Sequence, residues 1–87
     1  MDKLKQELDN QLNAFIAKMP EKGNNSALGM QKRVQFVLDN KDEFNQTLNK
    51  IKDDFLLENK LNETQKEELI SLLKNYFERY LKIFSIH

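Results

Sequence analysis

The chain has 87 residues, with 14 Lys plus Arg balanced by 14 Asp plus Glu, no cysteine and one histidine. That length holds one domain, whose core buries roughly 60% of the surface of the unfolded chain, and zero formal charge supplies no net field to gather phosphates or anionic lipid. Without cysteine there are no disulfides and no thiolate metal sites, so of the staples that small domains use, a partner chain is the one left.

The first predicted helix runs over residues 2–19. It places Leu4, Leu8, Leu12, Phe15 and Met19 within an arc of roughly 80° at 100° per residue, a single core-facing stripe. Pro20, Gly23 and two asparagines in PEKGNNS form a loop over residues 20–25, because proline cannot continue the helical ladder and glycine releases the chain. A second helix over residues 26–39 starts on the N-cap candidates Asn25 or Ser26 and sets Ala27, Met30, Val34, Val37 and Leu38 on one face. Asp39 and Asn40 are read as its end, since Asn40 with Glu43 has the spacing of a capping box.

The third predicted helix, residues 41–58, carries Phe44, Leu48, Ile51 and Phe55 within an arc of about 60°. Asn59 is a candidate left-handed terminator, and Asn62 with Gln65, or Thr64 with Glu67, offers a cap for a fourth helix over residues 63–86. That last helix spreads Leu69, Ile70, Leu73, Tyr76, Tyr80 and Ile83, among others, over an arc of about 180°. A half-cylinder of this width must touch at least two neighbours. The expected fold is all-α: one domain, a compact and mostly antiparallel four-helix bundle with a long C-terminal helix. A shift of 36 positions aligns the first helix on the third, Leu8 on Phe44 and Leu12 on Leu48, which either records a duplicated helical hairpin or is what any two amphipathic stripes do, the second being the preferred reading.

No catalytic or metal motif is present. Ser26, Ser71 and Ser85 have only His87 as a conventional base. The carboxylate pairs Asp42–Glu43, Asp53–Asp54 and Glu67–Glu68 fall on polar helix faces among lysines, where solvation is the default. DNKDEF lacks the alternating oxygen ligands of a calcium loop. Neither an enzyme nor a cofactor is expected, and no small-molecule substrate is inferred. No apolar run approaches the roughly 20 residues that span a bilayer, and the charged first residues, MDKLKQELD, are unlike a signal peptide, so a cytoplasmic protein is expected. The abundance of Lys and Asn suggests a bacterial or phage genome.

The chain therefore reads as a small interaction protein of the inhibitor, immunity, antitoxin or adaptor type, binding another protein or a second copy of itself as a homodimer. The predicted fourth helix is longer than the predicted second, which leaves its end without a covering partner. The candidate interface is Tyr76, Tyr80, Leu81, Ile83, Phe84 and Ile86. Tyrosine suits both an interface and the edge of a core. Phe36, opposite the stripe of its helix, is either an anchor for a partner or packed under the 20–25 loop. An alternative from another class is a helix-turn-helix DNA-binding regulator built on the junction of the second and third helices, with Gln31, Lys32, Arg33 and Gln35 on DNA. Asp42 and Glu43, at the start of its second helix, oppose that reading by repelling phosphate.

Overall fold

One long helix sets the dimensions of the molecule. The computed structural model describes residues 2–85 and contains α1 (Asp2–Lys18), α2 (Ala27–Glu58), α3 (Glu63–Leu81) and a closing 3-10 turn (Ile83–Ser85), with no strand among the described residues. At 32 residues, α2 is about 48 Å long by the standard rise, matching the longest of the molecular extents, 48 × 17 × 17 Å. The fold is all-α, but the bundle has three helices rather than four.

The expected break at Asp39–Asn40 does not occur. Asn40 caps nothing: its Nδ2 donates to the Phe36 carbonyl at 2.9 Å, a back-bond to i−4 that a helix interior accommodates. One residue earlier, Gln35 donates to Asp39 at 2.7 Å, an i,i+4 pair that also supports a continuous helix. Neither proline nor glycine intervenes, and Asp or Asn within a helix costs only about 0.7 kcal/mol relative to Ala. Burial decides the matter, because Val37, Phe44, Leu48 and Ile51 follow at spacings of seven, four and three, and share one face only if the helix runs through.

Ser26 caps α2, its Oγ accepting from the Gly29 amide at 3.1 Å. The capping box at α3 forms as the sequence indicates, between Asn62 and Gln65. Asn59 ends α2 in an extended conformation (φ −135°) rather than a left-handed one, and its backbone and side-chain N–H groups both donate to the Phe55 carbonyl at 3.0 Å.

α3 lies in the groove between α1 and α2, which accounts for its broad apolar face. It runs antiparallel to α2 and parallel to α1: Tyr80 meets Val37 and Phe44 of α2, while Tyr76 and Tyr80 meet Asp9 and Phe15 of α1. An aromatic cluster ties the three helices together. Phe44 stacks on Tyr80 at 4.4 Å between centroids, and Phe15 packs edge-on against Phe44 at 5.1 Å and against Tyr80 at 5.7 Å, geometries that add about 0.5–1.5 kcal/mol each beyond burial.

The helix expected to reach residue 86 stops at Leu81. Lys82 and Ser85 donate to carbonyls three residues back, at 3.2 Å each, and this tighter winding turns Ile83 into the core. The short N-terminal stretch of α2 that α1 does not reach is thus covered by the chain's own 3-10 turn and by the loop after α1.

Candidate protein interface on the α2–α3 seam

None of the described residues expected to form an exposed patch is fully exposed. Tyr76, Tyr80 and Ile83 belong to the core, while Leu81, Phe84 and Phe36 pack half-buried against it; Ile86 lies outside the described residues. The correction has one physical origin. With α2 continuous, α1, α2 and the 3-10 turn cover most of the end of α3, and Leu81 stays half-buried. The Tyr80 hydroxyl donates to the Val37 carbonyl at 2.8 Å, and burial, aided by nearby Glu43 and Asp39, pushes its pKa up to about 12. The Tyr76 hydroxyl donates to the Asp9 carboxylate, with Arg79 over its ring at 4.7 Å. Burial first, then Asp9, raises the pKa of Tyr76.

Three of the four residues proposed for DNA contact, Lys32, Arg33 and Gln35, are engaged within the chain. Arg33 is fully buried. Its Nε donates to the Phe84 carbonyl at 2.7 Å and its Nη1 to the carbonyls of Glu21 and Asn24 at 2.7 and 2.6 Å, leaving Nη2 without a partner. One guanidinium thus fastens both the loop and the C-terminal turn to α2. Glu21 is held in the left-handed region (φ 57°), which disfavours side-chain-bearing residues by roughly 1–2 kcal/mol. Its carboxylate accepts from Asn24 at 2.8 Å and from Lys32 at 3.4 Å, and these bonds, Asn24 first, hold the carboxyl below its ordinary pKa. Gln35 is paired with Asp39 and Gln31 is solvent-exposed. The helix-turn-helix junction itself is unbroken helix.

The exposed apolar residues lie elsewhere, and three of them, Met30, Leu38 and Ile70, are ones the sequence assigned to core-facing helix faces. Leu57 is 85% exposed, Leu28 and Ile70 61% and Leu38 57%, and Met30 and Leu56 are also open to solvent; by helical phase Leu28 and Leu57 lie on the outer face of α2, away from α3. Once α2 is continuous, Leu38 sits about 100° from Val37 and leaves the buried stripe. Between α2 and α3 runs a groove of about 260 Å³, floored by Leu48 and Leu73 and walled by Asn45, Asn49 and Lys52 on one side and Ile70, Lys74 and Phe77 on the other. Leu38 and Leu56 extend the α2 wall at helical spacing, and Leu81 extends the α3 wall. The signal in the sequence was the common phase of residues 37 and 44, which identifies α2 as one helix and moves Leu38 outward.

The other two grooves differ in charge. The opening between α1 and α2, about 640 Å³, is lined by Asp2, Glu7, Asp54 and Glu58 with Lys3. The α1–α3 groove, about 540 Å³, combines Lys5 with Glu67 and Glu68. Among the described residues no group of three or more His, Cys, Asp or Glu is placed to hold a metal ion, and no helix is long and apolar enough to cross a membrane. No protein-family model, curated protein or solved structure matches the chain.

Proposed function

We propose that this chain is a small non-enzymatic helical protein that acts by docking another protein, as inhibitors, immunity factors, antitoxins and adaptors do, and that the α2–α3 seam is its docking surface. The observation that carries this reading is the row of apolar side chains left open along the seam, Leu38, Leu56 and Ile70 flanking half-buried Phe77 and Leu81. Scattered exposed leucines need no explanation; here Ile70, Phe77 and Leu81 share one face of α3, and Leu38 and Leu56 stand at the two ends of the facing α2 wall with Asn45, Asn49 and Lys52 between them, an arrangement suited to a partner. The DNA-regulator alternative loses its support, since Arg33 is interior and the turn it needs is helix.

The test places a photo-crosslinking amino acid at position 70 of the full chain in its native cells, with position 3 on exposed α1 surface as control. A discrete protein adduct from position 70 alone, abolished by Leu38→Asp, is the expected result. No adduct, or the same adducts from both positions, refutes the proposal.

A further inference from the structure

We infer that the occupant of the seam is an amphipathic helix of a partner protein, acidic along its flanks, which lies between α2 and α3 and completes a four-helix bundle. The inference rests on the docking function proposed above and adds the chemistry of the partner.

Shape is the first argument. Leu38, Asp42, Asn45, Asn49, Lys52 and Leu56 follow one another along α2 at spacings of four, three, four, three and four, with Asp42 a carboxylate at the Leu38 end beyond the central groove, and Ile70, Lys74, Phe77 and Leu81 follow along α3 at four, three and four. Two antiparallel helices with such stripes present the ridges and grooves that receive a further helix, anchored through residues at i, i+3 or i+4 and i+7. From Leu38 to Leu56 is 18 residues, about 27 Å, so a partner helix of about five turns covers the seam.

Charge is the second argument, and it selects among occupants. The polar residues lining this groove are Asn45, Asn49, Lys52 and Lys74, with no carboxylate, whereas each of the other two grooves carries at least two. Lys74 has no ion-pair partner among the described residues, and Lys52 reaches only Asp53, at 4.0 Å. An approaching helix with Glu or Asp beside its apolar stripe meets both ammonium groups, while a basic one is repelled. A second copy of this chain docked seam to seam would bring its own Lys52 and Lys74 to the same rim, so self-pairing at this face is disfavoured.

The test uses two synthetic helical peptides of about 20 residues with identical Leu and Phe anchors at the spacing above, one flanked by Glu and its isomer by Lys. Binding to the full chain is read by fluorescence anisotropy at low and high salt. The Glu peptide is expected to bind about tenfold more tightly, with the preference shrinking in salt and reversing in the Lys52→Glu/Lys74→Glu double variant. Ile70→Asp is expected to weaken both peptides about tenfold while leaving the thermal midpoint in place. Equal affinities for the two peptides, or a preference untouched by the double reversal, overturn the inference. So does a concentration-dependent dimer that Ile70→Asp dissolves, which would assign the seam to a second copy. If the peptides fail while the adduct at position 70 persists, the acidic-helix inference falls and the docking function stands; if both fail, both fall.

Discussion

Replacing Arg33 with alanine removes the single group that joins the 20–25 loop, α2 and the C-terminal turn. Its three hydrogen bonds, 2.6–2.7 Å long, each carry a charged donor and are worth about 1.5–3 kcal/mol. Their sum at the low end, about 4.5 kcal/mol, is reduced by about 1–3 kcal/mol for the buried, unpartnered Nη2. Losing the packing of the buried aliphatic stem adds to the deficit. The expected destabilisation by Arg33→Ala is therefore about 3 kcal/mol, a large part of the roughly 4–13 kcal/mol available to 87 residues. Arg33→Lys keeps the charge but loses the planar fork, and is expected to lose about 2 kcal/mol. Urea unfolding followed by circular dichroism gives the totals. Amide hydrogen exchange of Arg33→Ala should show the earliest loss of protection in residues 20–26 and 83–85, before the helices. A loss below about 1 kcal/mol, or a uniform fall in protection along the chain, would refute the clamp.

Three further outcomes follow from the geometry. Tyr80, with a pKa raised from 10 to about 12, favours the folded state fully below pH 10, and this stabilisation fades between pH 10 and 12 because the native chain then binds the extra proton. The stability advantage of the intact chain over Tyr80→Phe should therefore shrink by roughly 2–3 kcal/mol at most across that interval, and parallel pH curves would contradict it. Asn40→Ala separates a helix interior from a cap: within continuous α2 the stability should hold or rise by a few tenths of a kcal/mol, whereas a lost N-cap would cost about 1 kcal/mol, read from urea midpoints. Gly29→Ala would place a Cβ 2.8 Å from the backbone oxygen of Asn24, so thermal melting should show a net loss of about 1 kcal/mol despite the gain in helix propensity; a rise in the midpoint would mean the loop yields freely.

The sequence by itself determined what depends on neighbours within a turn or two. The stripe of Leu4, Leu8, Leu12 and Phe15 in α1, the Ser26 cap and the Asn62–Gln65 capping box are local patterns, and all form. So is the all-α class, because the spacing of apolar residues follows the helical repeat throughout. Tertiary structure decided what local signals leave balanced. Asp39 and Asn40 suit a cap and a helix interior almost equally, and burial of Val37 and Phe44 on one shared face tips the balance toward a continuous α2. Tyr76 and Tyr80 read equally as surface or core, and Ile83 as exposed interface, until α1, α2 and the closing turn bury them. Arg33 reads as a surface cation because its acceptors at Glu21, Asn24 and Phe84 lie 12, 9 and 51 residues away in the chain, and no local pattern encodes partners so distant. Leu38 and Ile70 reach the surface for the complementary reason: three helices bury only the sides that face one another, and the outer wall of the α2–α3 seam is left in water.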